Sequence, residues 1–354
     1  MGALDAVIMA LMVTHAIDIG RLEASERQKV LDLLQSLQDD LTRLLNTKVL
    51  SEEGKKGTNA LLNEISSLIS GTYSEIAAAA LVTARGLSSV SAEMTAQAMQ
   101  QTLSIAIGEV SKPSASYLES LAKNLLVDGS PLTDWWGKQA GDVQFRLAAE
   151  LRKGMAAGET NQQIIYRIMG KKGEPGVMDI ARKNAAALVQ TSTATVANRS
   201  RLETFRKNQD IMNGVRWLAT LDNLTCETCA NLDGQKWDFD GAALPGTTMP
   251  YMEPPAHVNC RCVMTSVLKP LSEVSGGALA DIAPASTRVS MNGSVKGSMT
   301  FPEWFAGRTP EQQDKQFGAG KAAMYRAGKI TLRDMVDGSG APLTLAELKA
   351  LYGG

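Results

Sequence analysis

Two short runs, Thr225-Cys226-Glu-Thr-Cys229 and Pro255-Ala-His257-Val-Asn-Cys260-Arg-Cys262, decide how the chain is read. They hold all four cysteines and one of the two histidines of the 354-residue sequence. A cysteine pair two residues apart can turn both sulfurs onto one ion, and zinc takes four thiolate or imidazole donors in a tetrahedron. Cys226, Cys229, His257, Cys260 and Cys262 therefore form a candidate zinc set with one donor to spare. The preferred set is Cys226, Cys229, His257 and one of Cys260 or Cys262. Strand alternation puts Cys260 and Cys262 on the same side and does not choose between them. One or two disulfides are the competing use of the same cysteines.

The flanks of these runs read as a small sheet. Val215-Arg-Trp-Leu-Ala-Thr220 has strand character, Gln235-Lys-Trp237 suggests a short second strand, and Cys262 to Leu268 a returning third. Between them, Gly241 to Pro255 is a loop rich in Gly and Pro. A sheet this small and poor in aromatics needs a staple, and a closed metal site would supply one.

Further out, the sequence reads as helix. Upstream, Val30, Leu33, Leu34, Leu37, Leu41, Leu44 and Leu45 recur at helical spacing, with Ser25 and Gln28 as a capping box. A break is expected at Gly54 to Gly57, then helices over 59–85, 91–107 and 114–126. Asp128-Gly-Ser-Pro131 marks a boundary. Helices are expected over 144–157, from the Thr160/Gln163 capping box to Met169, and over 178–207. Downstream, Ser272 to Ser298 is rich in Ser, Gly and Ala and reads as a linker. Capping boxes at Thr309/Gln312, Thr331/Asp334 and Thr344/Glu347 predict helices over 310–327, 331–336 and 344–351.

The expected fold class is α+β, mainly α. Helical N-terminal and middle regions precede a small zinc-knuckle β domain and a short helical C-terminal piece. The expected domains are 1–130 (helical), 131–270 (helices plus the knuckle sheet), 271–300 (linker) and 301–354 (short helices).

The composition, 44% hydrophobic and 21% charged, is that of a globular chain, and the net charge of -1 argues against a dedicated nucleic-acid binder. Charge is uneven: 10 basic against 16 acidic residues up to Trp135, 13 against 7 from Trp136 to Val215, and 13 against 14 beyond. The basic middle block suits a solvated helix surface, with an acidic partner or DNA as the alternative. Met1 to Ala16 is too short and too polar to span a membrane.

Enzyme chemistry finds no support. A nucleobase deaminase needs His-x-Glu ahead of Pro-Cys-x-x-Cys, and here Val258 and Asn259 follow His257. No His-Glu-x-x-His occurs. A redox Cys-x-x-Cys belongs at a helix N-terminus in a βαβ setting, which is not expected around Cys226. Gly318-Ala-Gly320-Lys321 lacks the spacing of a phosphate loop and reads as a helix interruption. His15 reads as a packing or surface residue.

One resemblance brings these observations together. Trp217-Leu-Ala-Thr-Leu-Asp222, Thr225-Cys226-x-x-Cys229, Leu232-Asp-Gly234-Gln and Pro255-x-His257-x-x-Cys260-Arg261-Cys262 resemble the C-terminal domain of phage Mu protein F-like minor head proteins. Phe301-Pro-Glu-Trp304, Gln313-Asp314, Gly328-Lys-Ile-Thr-Leu-Arg333-Asp and Pro342-Leu-Thr-Leu-Ala-Glu347 are similar to the stretch downstream of that domain in such proteins. Where the family commonly shows Arg-Thr-Glu, this chain has Gln190-Thr191-Ser192. The resemblance covers roughly residues 132–351. It implies a structural, non-enzymatic minor head protein of a tailed phage, assembled in the host cytoplasm and carried in the virion at the head or portal vertex. Its implied partners are the portal protein and the major capsid or scaffold protein. Packaged DNA is a further possible partner, no membrane is involved in the mature head, and oligomers form only in assembly. Cytosolic assembly keeps thiols reduced and so favours zinc over disulfides.

Overall fold

The computed structural model describes residues 3–47, 55–103, 109–274 and 287–353. Mainly helical with small sheets, it opens on α1 (Ala3–Asn46), α2 (Lys55–Leu103) and α3 (Ala115–Asn124). The expected start at Ser25 is absent, because α1 runs through it and Gln28 donates to Asp32 at 2.8 Å instead of folding back. The break expected near residue 86 is absent too. The Ser88 and Ser91 hydroxyls there are buried and donate to the Leu118 and Ala197 carbonyls at 3.1 and 2.8 Å, while Thr95 donates to the Ser91 carbonyl at 2.7 Å. Small polar residues with satisfied hydroxyls leave a helix intact. The α2 stretch Lys56–Leu103 is long and apolar enough, by length and composition only, to cross a membrane.

A minimal hairpin, β1 (Leu126–Val127) and β2 (Ser130–Pro131), turns at the expected boundary and leads into α4 (Leu132–Ala156). The Thr160/Gln163 capping box starts α5 (Asn161–Met169), as its spacing predicts, and α6 (Val177–Arg206) comes next. Gly20–Leu87 and Glu119–Val196 form one compact unit. Its core joins Leu34, Leu37 and Leu41 of α1 to Ile65, Ile69 and Ile76 of α2, Trp136, Leu147 and Leu151 of α4, and Ile164 and Ile168 of α5.

The second compact unit comprises Met1–Ile19, Ser88–Leu118 and Ala197–Gly354. Its centre is β3 (Met212–Leu218), followed by α7 (Glu227–Leu232), β4 (Lys236–Trp237) and β5 (Val263–Leu268). The sheet is antiparallel in the order β4-β3-β5, with Val215 opposite Trp237 and Trp217 opposite Met264. Trp217, Trp237, Leu202, Phe205 and Met264 bury its core together with Ile8 and Met12 of α1.

After α8 (Leu271–Val274), the expected linker falls partly at 275–286, outside the described residues. Its remainder is not a featureless linker. It forms a hairpin, β6 (Thr287–Ser290) with β7 (Gly293–Lys296), and the Met291 amide donates to the Leu221 carbonyl at 3.0 Å. The inward positions of β6 are Arg288 and Ser290, so no apolar alternation announced the strand. The chain then forms α9 (Phe301–Ala306), α10 (Pro310–Phe317), α11 (Ala319–Arg326), a 3-10 turn at Arg333–Met335 and α12 (Leu345–Tyr352). The helix expected over 310–327 is two helices, because Gly318 at φ 82° and ψ 144° ends one and starts the next. That left-handed φ suits glycine. The helix expected over 331–336 shrinks to the 3-10 turn. Phe301, Trp304, Phe305 and Phe317 form an aromatic core for this region, with Ala230 of α7 among them.

Candidate metal centre

Two turns build the site. In the first, the Thr225 hydroxyl donates to the Thr220 carbonyl at 2.6 Å and the Leu224 amide to Asp222 at 2.9 Å. This delivers Cys226 as the N-cap of α7, where its Sγ accepts from the Cys229 amide at 3.4 Å. The stretch that reads as turn residues in the sequence thus holds a short helix beginning at Cys226. A six-residue helix lies below the length that hydrophobic periodicity can announce. In the second turn, the Cys260 amide donates to the His257 carbonyl at 3.1 Å, with Asn259 between them at φ 63°. Asn is among the residues that tolerate this conformation.

Outer contacts lock the turns in place. Arg261 pairs with Asp222, with Nη2 to Oδ1 at 2.9 Å, and so ties one turn to the other. Asn198 of α6 donates to the Cys262 carbonyl at 3.2 Å and accepts from the Met264 amide at 3.2 Å. Asp233, just past α7, accepts from the Ala219 amide at 2.7 Å, the Phe301 amide at 2.6 Å and the Arg288 guanidinium at 2.9 Å. Sequence reasoning missed Asn198 and Arg288. It quoted Asp233 only as part of a motif.

All five predicted donors come together. His257 Nε2 lies 3.2 Å from Cys226 Sγ and 3.3 Å from Cys229 Sγ, and Cys229 Sγ lies 3.7 Å from Cys260 Sγ. Cys226, Cys229 and His257 make one triad and Cys229, Cys260 and Cys262 a second, each with donor atoms within 4.8 Å of one another. A tetrahedral zinc at ordinary bond lengths would hold sulfurs about 3.8 Å apart and sulfur about 3.5 Å from nitrogen. The spacings within each triad are therefore close to those of donors around one ion, and Cys229 belongs to both. His257 Nδ1 lies 2.9 Å from the Val258 carbonyl oxygen. A carbonyl only accepts, so Nδ1 carries a proton and Nε2 is the nitrogen turned to the sulfurs, the one a metal would take.

The same contacts divide the protons. Hydrogen bonding from Cys229, and then from His257, pulls the Cys226 thiol down to about 4 against its burial. Hydrogen bonds to Cys226 and Cys260 push His257 up to about 11. Cys260 is held far below the usual thiol range, chiefly by Cys229. Cys229 is pushed up by its bond to Cys226, and Cys262 by burial. A divalent cation bound here would displace protons from the thiols and from His257 Nε2.

Neither triad contains a carboxylate. His15 lies apart in sequence, on α1, where burial pulls it down to about 4. Lys321 of the glycine-rich stretch pairs with Glu227 at 2.7 Å.

Residues 146–265 match the family model described as Phage Mu protein F like protein. No curated protein and no solved structure matches the chain. The matched segment carries α6, the central strand β3 and both cysteine turns.

Proposed function

We propose that this chain is a structural component of a tailed-phage head, acting in head morphogenesis as a minor protein near the portal vertex. A zinc ion closes its Cys/His cluster. The match of residues 146–265 to the phage Mu protein F-like family carries this reading. In it the chain assembles in the host cytoplasm, contacts portal and capsid or scaffold protein, and remains in the virion. Zinc is held by Cys226, Cys229, His257 and one of Cys260 or Cys262, and its role is architectural. With four such donors filling the tetrahedron no position is left open, and neither triad includes a carboxylate to serve as the general base that catalytic zinc requires. The DNA-associated alternative gains little from the basic middle block. Many of its cations are matched by acids of the same block: Lys138 by Asp142, Lys153 by Glu150, Arg167 by Glu159 and Arg182 by Asp179.

Two measurements test the proposal. Mass spectrometry of purified heads should find the chain at a few copies beside the portal, and phage lacking it should make heads that do not fill with DNA. Filled, infectious particles without it would sink the assembly role. Elemental analysis of protein purified under reducing conditions should give about one zinc per chain.

A further inference from the structure

We infer that the metal cluster is a latch for the C-terminal module, Thr287 to Tyr352, so that zinc binding and docking of that module are thermodynamically linked. This rests on the zinc reading above. The linking element is α7. At six residues it is far too short to persist alone, since isolated helices below about 12 residues are marginal in water. It is held from two sides.

One side is the metal cluster. Cys226 caps the helix, Cys229 lies in the sheet's core, and both face His257. The other side is the C-terminal module, which grips the same residues one after another. Gln316 Nε2 donates to the Thr225 carbonyl at 2.6 Å. Lys321 pairs with Glu227 at 2.7 Å, both side chains mostly buried. The Thr228 hydroxyl donates to the Gly340 carbonyl at 2.8 Å, and Asn231 Nδ2 to the Leu332 carbonyl at 2.8 Å. Ala230, 1% exposed, sits in the aromatic core with Phe301, Trp304 and Phe305. Asp233 then receives Arg288 and the first amide of α9.

Every residue from Thr225 to Glu227, and then Thr228, Cys229, Ala230 and Asn231, therefore serves one side or the other. Neither set can be disturbed without moving the backbone that carries the other. A coupling free energy of this kind is reciprocal: what metal does for docking, docking does for metal.

The test uses the full chain loaded with zinc. Hydrogen exchange is followed with and without a zinc chelator, and zinc affinity is measured by competition with a chromogenic chelator. Removing zinc should raise exchange together over 225–233 and 300–352, with amides of the unit formed by 20–87 and 119–196 unchanged. The reciprocal arm uses Gly340→Val. Gly340 has φ 89°, a backbone that valine rarely adopts, so Gly340→Val strains the turn whose carbonyl receives Thr228 while leaving every metal ligand intact. It should weaken zinc binding at least about five-fold, the low end of ordinary allosteric coupling. Lys321→Met, which removes an ion pair without straining the backbone, should shift affinity the same way by less. Unchanged zinc affinity in both variants, or a C-terminal module that keeps its protection after zinc removal, overturns the latch. A chain that takes up no zinc at all overturns the zinc reading itself, and elemental analysis shows that first.

Discussion

Two buried arginines in the sheet-bearing unit have opposite prospects. Arg288 meets the Asp233 carboxylate at 2.9 Å, with side chains 4% and 1% exposed, in a pair that also anchors α9. Arg288→Met would strand that carboxylate and should cost about 3–5 kcal/mol. Arg201 is also buried, but its bond is to the Asn198 side-chain oxygen at 2.9 Å, and burial alone draws its guanidinium down to about 10. Arg201→Met removes a desolvated charge and should be neutral or stabilising. Urea unfolding of the two variants decides it, and a large loss of stability in Arg201→Met would contradict the argument. The metal donors were legible at this scale because cysteine and histidine are rare here and clustered. Their supports were not: Asn198, Asp233 and Arg288 are common residue types whose roles arise only when distant segments meet.

Among the elements, capping boxes with non-helical chain upstream announced helices at Thr160, Thr309 and Thr344, while the one at Thr331 led only to a 3-10 turn. The Thr160, Thr309 and Thr344 boxes each start a helix, with the hydroxyl accepting the third helical amide and the Gln or Glu returning to the cap. The same arrangement at Thr300 starts α9, where a linker reading had hidden it. Ser25 shows the limit of the signature, since inside a continuous helix its neighbouring amides already have partners. Thr309→Ala should therefore cost about 1 kcal/mol, whereas Ser25→Ala should change stability by only a few tenths. Thermal melts of the two variants separate these outcomes, and equal losses would refute the reading. The strands β3 and β5 were legible from β-branched and aromatic residues. The hairpin β6–β7 was not, because its buried side is polar.

For the whole molecule, sequence order and compact units do not coincide. The sequence suggested successive regions, yet each compact unit gathers separated stretches, and the sheet-bearing one draws on three. Nothing local in the sequence announces this, because an amphipathic stripe shows that a helix is buried and not what buries it. Only that unit holds the cysteine cluster, while the other has its own core built from five helices. In scanning calorimetry, a zinc chelator should lower one transition and leave a second in place. A single transition that moves as a whole would mean that the two units melt as one.

The first turns of α1 carry a consequence for how the chain reaches this state. Asp5 accepts the Leu268 amide across 263 residues of sequence at 2.9 Å, and Arg216 reaches both Asp5 and Met9. On the ribosome these turns are made well ahead of β5 and find their seat only after it. At about 5–20 residues per second that is a wait of roughly 13–53 seconds. Throughout it, Ile8, Met9 and Met12 are uncovered, a greasy stretch at the moment when a nascent chain is most exposed to chaperones and to other copies of itself.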